Sequence, residues 1–309
     1  MTRVATYGNY QSALLNLMNT QIRSAEAQER VSTQKNATDL TGFGRQSETL
    51  TALKGAQSRI QGFIDTADAV SSRLIIQDLA MTRISDSITG LREAIGNALS
   101  TDFAGSLMLD LDGNFQAIRG GLNMRHQGGY LFAGASTTSA PVSVTNLSEL
   151  AAAPSVASVF QNDTLKTASR VADGTTLETG FLADDLGTEV LTILRDMQTF
   201  HATAGQGPLT GKLSEPQKTF LIAQLSRLEM AGTAVIDKVA KTGSLAEQVE
   251  SISLGHTAQK NALDELVANR TDADMAKAVT DLQLSQIAIQ ASAQVISQLR
   301  DVSLLNYLR

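Results

Sequence analysis

Ile60, Ala67, Leu74, Met81, Ile88 and Ile95 recur every seven residues, and Phe63, Val70, Gln77, Ile84, Leu91 and Ala98 repeat that spacing three positions on. Together they are the a and d positions of a heptad pattern lasting six repeats, broken only by Gln77. A helix over 46–99 would be roughly 80 Å long at about 1.5 Å per residue. A rod of that length has no core of its own and needs partner helices of similar length. The pattern therefore predicts a mainly α fold, an elongated heptad-based helical bundle.

Partner helices appear later in the chain. Leu107, Leu111, Phe115, Ile118 and Leu122 make a short amphipathic stripe, and Leu221, Leu225, Leu228, Val235 and Val239 make another. Ser214-Glu-Pro-Gln217 before the second reads as a capping box with Pro in the first turn. Leu245, Val249, Ile252, His256, Gln259, Leu263 and Leu266 continue the pattern after a further box, Ser244-Leu-Ala-Glu247, with Gly243 as the expected stop between two helices.

The centre of the chain has a different character. Pro141, Pro154, Pro208 and Pro216 are its 4 prolines, and no Gly or Pro follows Gly255. Short pieces at Pro141-Val-Ser-Val-Thr145, Ser158-Val-Phe-Gln161 and Thr167-Ala-Ser-Arg-Val-Ala172, with a turn signal at Asp173-Gly174, read as strands. The expected organisation is 1–36 plus 271–309 as paired terminal helices, 37–140 plus 186–270 as the bundle, and 141–185 as a small β-rich insertion.

The two ends pose a separate question. Leu282 to Leu299 contains no charged side chain, and its non-apolar positions are all Gln or Ser. It is too polar to span a bilayer and too poor in charge for an ordinary surface helix. Leu282, Ile289 and Ile296 form one stripe, while Leu284, Ile287, Ala291, Val295, Leu299 and Val302 form a second. At the other end Tyr10, Leu14, Leu17 and Gln21, with Leu15, Met18, Ile22 and Ala25, would cover more than half of a helix circumference. One N-terminal helix can cover only one stripe of its C-terminal counterpart. The other needs either a larger bundle within the chain or a second molecule.

Composition narrows the function. A net charge of -6 without a run of Lys or Arg argues against nucleic acid and against anionic membrane surfaces. The absence of Cys removes thiolate chemistry, disulfides and Cys-based zinc sites. Met1 to Gly8 lacks an apolar core segment, so no cleaved signal peptide is expected. His126, His201 and His256 are scattered, and His256 reads as a polar layer in a coiled coil. Gly120-Gly121 and Gly128-Gly129 do not form a phosphate loop, and Asp110 with Asp112 lacks the spacing of a calcium loop. Asp184-Asp185 and Thr271-Asp-Ala-Asp274 fit helix starts. No catalytic residue, cofactor or metal ligand is expected, and the chain is not expected to be an enzyme.

Thr271-Asp-Ala-Asp-Met-Ala-Lys-Ala-Val-Thr-Asp-Leu-Gln283, Gln286, Gln290-Ala291, Ile296 and Ser303-Leu-Leu-Asn-Tyr-Leu308 resemble the C-terminal helix of the flagellin superfamily. Arg3-Val-Ala-Thr6, Tyr10, Leu14 to Met18, Gln21, Gln28 and Val31-Ser-Thr-Gln-Lys35 resemble that family's opening. The Leu304-Leu-Asn-Tyr-Leu308 ending and Gly128-Gly-Tyr-Leu-Phe-Ala-Gly134 look closer to the hook-associated protein 3 branch, the distal hook–filament junction proteins, than to flagellin. Phe160-Gln-Asn-Asp163 and Val171-Ala-Asp-Gly174 look like the start of that branch's β-rich domain. Ala37-Thr-Asp-Leu-Thr-Gly42 stands where the family usually carries a Pro- and Asp-rich turn, a departure.

The resemblance implies terminal helices that pair on assembly into an inner tube, with subunits repeating head to tail in a helical ring. The implied interface residues are Leu14, Met18, Ile22, Leu282, Ile289, Val295, Ile296, Leu299, Leu304, Leu305, Tyr307 and Leu308. Implied partners are other copies of the chain, hook-associated protein 1, flagellin and a flagellar export chaperone. The implied location is the extracellular flagellum, reached through the flagellar type III apparatus without membrane insertion. Within the superfamily a filament-forming flagellin is the alternative, and a helical signalling bundle is the alternative outside it.

Overall fold

The computed structural model describes residues 2–305, with side-chain surroundings described for 8–298. Seven α-helices and two short antiparallel hairpins make up its regular structure: α1 Thr2–Thr33, α2 Ser47–Thr101, α3 Leu107–Leu122, β1 Arg125–His126, β2 Gly129–Tyr130, α4 Leu147–Ala152, β3 Ala168–Ala172, β4 Thr175–Glu178, α5 Ala183–Ala202, α6 Glu215–Thr271 and α7 Met275–Leu305. The fold is a mainly α helical bundle. It divides into two compact units, 1–59 with 259–309 and 60–258, so that α2 and α6 each supply residues to both.

In the 60–258 unit the heptads of α2 do what their spacing predicts. Ala67, Val70, Leu74, Met81, Ile84, Ile88, Leu91, Ile95 and Ala98 are buried. From Met81 onward they join Leu107, Leu111, Phe115, Ile118 and Leu122 of α3, Leu191 and Leu194 of α5, and Leu221, Leu228 and Val235 of α6 in one core, while Ala67, Val70 and Leu74 belong to a second cluster. Gln77, the break in the heptad, is fully buried, and neither its Oε1 nor its Nε2 has a hydrogen-bond partner. Arg227 of α6 reaches across to α5, donating to Glu189 at 2.9 Å and to Asp196 at 2.7 Å.

α5 is more regular than the sequence reading allowed for. Leu186, Val190, Leu191, Ile193, Leu194 and Met197 form its buried face. α6 also departs from expectation, because Gly243 does not stop it and a single helix runs from Glu215 to Thr271. A mid-helix Gly costs about 1 kcal/mol. Burying Val235, Thr242 and Val249 on either side of it outweighs that. The Ser214 box forms in half, with the Ser214 N–H donating to Gln217 Oε1 at 2.9 Å.

The region 141–185 holds less strand than its pieces suggested. Val142 and Phe160 meet in one isolated bridge, and 147–152 is helical. The helix arises from a capping box, in which Asn146 Oδ1 accepts from the Glu149 N–H while the Glu149 carboxylate accepts from the Thr145 N–H and hydroxyl. Those bonds hold the Glu149 carboxyl below its ordinary range. The Asp173-Gly174 turn does join two strands, with Gly174 at φ 76. Val171 and Leu177 dock that hairpin onto Ala67, Val70 and Leu74 of α2 and Val249 of α6. His256 completes the docking: its Nε2–H donates to the Val171 carbonyl at 2.8 Å, and its ring stacks on Phe63 at 5.4 Å.

Candidate assembly interface on the terminal helices

The 1–59 and 259–309 unit is built on α1 packed along α7. Arg30 near the end of α1 pairs with Asp281 near the start of α7 at 4.0 Å, so the two helices run in opposite directions. Their junction is stitched by backbone. Asn36 N–H donates to the Thr271 carbonyl at 2.7 Å, and Ala273 N–H donates to the Gln34 carbonyl at 2.9 Å. Lys35 pairs with Asp272, and Asn36 Nδ2 donates to the Asp272 carbonyl at 2.9 Å. Lys35, and after it the Thr271 hydroxyl, hold the Asp272 carboxyl below its ordinary range. Asp274 starts α7 by accepting from the Lys277 N–H at 3.1 Å. In the 37–42 turn, Asp39 Oδ1 accepts from the Gly42 N–H at 2.9 Å, a side-chain turn that works without Pro. Gln57 of α2 and Lys260 of α6 both bond Asp264, tying those helix ends together within this unit.

The seam mixes small residues with large ones. On α1 the half-buried or buried positions are Tyr10, Ala13, Leu17, Thr20, Ser24, Ala27, Arg30 and Val31. All but Arg30 fall on an alternating three-and-four spacing, the period of a coiled-coil seam. On α7 the corresponding positions are Ala278, Asp281, Leu282, Ser285, Ala288, Ile289, Ser292 and Ile296. Ala27, Ala278 and Ser285 are the most deeply covered described residues of the two helices. Small residues at these points let the two backbones approach closely, with Leu17, Leu282, Ile289 and Ile296 half-buried beside them, while Leu14, Leu15, Met18, Ile22, Leu284, Ile287 and Val295 are exposed.

The candidate residues from the sequence therefore fall into groups. Leu282, Ile289 and Ile296 lie half-buried along the seam with α1. Leu14, Met18, Ile22 and Val295 are exposed. Leu299, Leu304 and Leu305 belong to α7, but their side-chain surroundings are outside the described residues, as are Tyr307 and Leu308 altogether. The expected α1 stripe of Tyr10, Leu14, Leu17 and Gln21 is corrected: Leu14 and Gln21 face outward, and Ala13, Thr20 and Ser24 take the seam instead. Leu15, Leu284 and Ile287 stand equally exposed and belong with the outward set. Their signal was present in the second α7 stripe.

The outward faces carry no counterpart within the described unit. From Leu282 to Gln298 the exposed surface of α7 is apolar, Gln or Ser, without a charge. Scattered exposed aliphatics are ordinary, but a contiguous uncharged row of them marks a contact surface. No described helix is long and apolar enough to cross a membrane.

Comparison with known proteins agrees with this geometry. Residues 225–308 match the bacterial flagellin C-terminal helical region. No curated protein matches the sequence. Among solved structures, a protein described as a flagellar hook-associated protein from Vibrio parahaemolyticus superposes with a TM-score of 0.61 at 17% identity, over 75% of this chain and 100% of that one. FlgL of Bacillus cereus gives 0.54 at 16% identity over 71% and 98%. FlgL of Xanthomonas campestris gives 0.55 at 12% identity over 70% and 99%. The C-terminal part of the chain, 225–308, is thus similar to the flagellin C-terminal helical region. The fold is one that these three structures share with this chain.

Proposed function

We propose that the chain is a non-catalytic structural adaptor of the bacterial flagellum, joining hook-associated proteins to the flagellin filament at the hook–filament junction. The observation that carries this reading is the pairing of α1 with α7 along one face of each, which leaves Leu14, Leu15, Met18, Ile22, Leu284, Ile287 and Val295 outward. The outward rows of the two helices differ in sequence. A row on one copy meeting a different row on the next gives a heterologous contact that propagates instead of closing. Charge-free walls suit such a contact, since a buried unpaired charge costs several kcal/mol. In this reading the chain self-associates in a helical ring and meets hook-associated protein 1 on one side and flagellin on the other. It leaves the cell through the flagellar export apparatus, with a chaperone covering the C-terminal helix beforehand.

The flagellin match over 225–308 supports a second reading, a filament subunit. A deletion strain separates the two. Loss of the junction protein leaves intact hooks without filaments and flagellin in the spent medium. Loss of a filament subunit leaves no such excess of flagellin outside, and normal filaments would overturn the junction reading.

A further inference from the structure

An open cavity of about 520 Å³ lies in the 60–258 unit, between α2 and the β1–β2 hairpin. That is within the size range of small-molecule sites, about 300–1,000 Å³. Its wall includes Thr66 and Arg73 of α2, His126 to Leu131 of the hairpin, Thr137, Thr138 and Ser169. The hairpin turns at Gln127 (φ 48) and Gly128 (φ 84), two successive left-handed residues, as a tight two-residue turn between paired strands requires. The Tyr130 N–H donates to the Thr137 carbonyl at 2.9 Å, which holds that wall against the next loop.

The chemistry of this lining runs against the charge of the chain. The protein carries a net charge of -6, yet no Asp or Glu lines the cavity. What it presents is the guanidinium of Arg73 together with the His126 ring, three threonines and a serine. Arg73 Nη2 donates to the Leu131 carbonyl at 3.1 Å, while its Nε and His126 Nε2 are shielded from solvent without a hydrogen-bond partner. None of the ion pairs among the described residues includes Arg73. Desolvation lowers the pKa of its guanidinium. A partly buried guanidinium without a counter-charge is costly, and a neutral Gln could have served the Leu131 carbonyl alone. Guanidinium forks match carboxylates in shape and charge.

We propose that this cavity is an anion site that takes a carboxylate, held by the Arg73 guanidinium with His126 and the surrounding hydroxyls. The carboxylate comes either from a small acid in solution or from an acidic side chain of a second copy of this chain. The test is a titration of the full chain with malonate at constant ionic strength, with chloride as control. Arginine Nε–H and histidine ring signals are followed by NMR. Saturable shifts centred on Arg73 and His126 are expected. Binding should weaken at least about tenfold in Arg73→Gln, and exposed Arg92→Gln should behave as wild type. Circular dichroism checks that the variants remain helical, and if Arg73→Gln does not fold, Arg73→Lys and the wild-type titration still decide. No saturable shift beyond that of chloride, or shifts spread equally over Arg92, would overturn the proposal. Sedimentation then assigns the source, both results being consistent with the site. Self-association that malonate dissolves and Arg73→Gln abolishes points to a second copy, while an unchanged mass with malonate bound points to a free acid.

Discussion

Phe115, Phe132, Ile84, Leu91 and Ile193 of the 60–258 unit have no exposed surface, whereas Leu15, Leu284 and Ile287 of the terminal unit are about 60% exposed. Residues of the same chemical kind are thus sealed in one region and presented in the other. The 60–258 unit interdigitates large side chains from several helices, which is how a core stabilises itself. The terminal unit covers Ala27, Ala278 and Ser285 most deeply at its internal seam and leaves Leu14, Leu15, Met18, Ile22, Leu284, Ile287 and Val295 exposed. The comparison teaches that hydrophobic content alone does not locate a core: what matters is whether a second apolar face of the helix finds cover within the same chain.

The largest expected effect lies in the sealed region. Phe115→Ala should cost about 3–5 kcal/mol in urea denaturation, a transfer loss plus a cavity. A loss below about 1 kcal/mol would mean that this core is not packed as described. Next, His256→Ala removes the bond to the Val171 carbonyl and the stack on Phe63. The expected cost is about 1–3 kcal/mol, with faster hydrogen exchange across 168–178. Unchanged exchange there would show that the hairpin is held by Val171 and Leu177 alone. In the terminal unit, Leu15→Gln and Ile287→Asp should each leave stability within about 0.5 kcal/mol, as surface substitutions do. A larger loss would mean that these faces are already covered within one chain.

The smallest expected effect is pH-dependent. Lys35 holds the Asp272 carboxyl below its ordinary value of 3.8. Its contribution is therefore fully present above that value and is lost as pH falls through the lower folded-state value. Acid titration monitored by NMR at 34–36 and 271–273 should show this junction loosening at the acid end, and Asp272→Asn should remove that pH dependence.

Much of the fold was legible because its largest element repeats. The heptads of α2 announced both the helix and its buried face, and the charge-free run of α7 announced an unusual environment. The seam was legible on its α7 side, where Leu282, Ile289 and Ile296 stand out as one stripe, but not on α1, because Ala13, Thr20, Ser24 and Ala27 are weak signals in any hydrophobic pattern and Leu14 beside them is a strong one. The continuity of α6 through Gly243 depended on burial that sequence does not display. The helix at 147–152 was readable in principle from Asn146 and Glu149, but the β-branched residues on either side of it favoured a strand reading. The cavity at Arg73 needed the hairpin to fold back onto α2, a long-range event with no local mark.

The most direct test of the outward stripe is to express the Ile287→Asp chain in a strain lacking this protein and count hooks bearing filaments by electron microscopy. Helicity and secreted amount of the variant are checked alongside. The account predicts a folded, secreted chain, bare hooks and flagellin in the medium. Filaments at the wild-type frequency would contradict it.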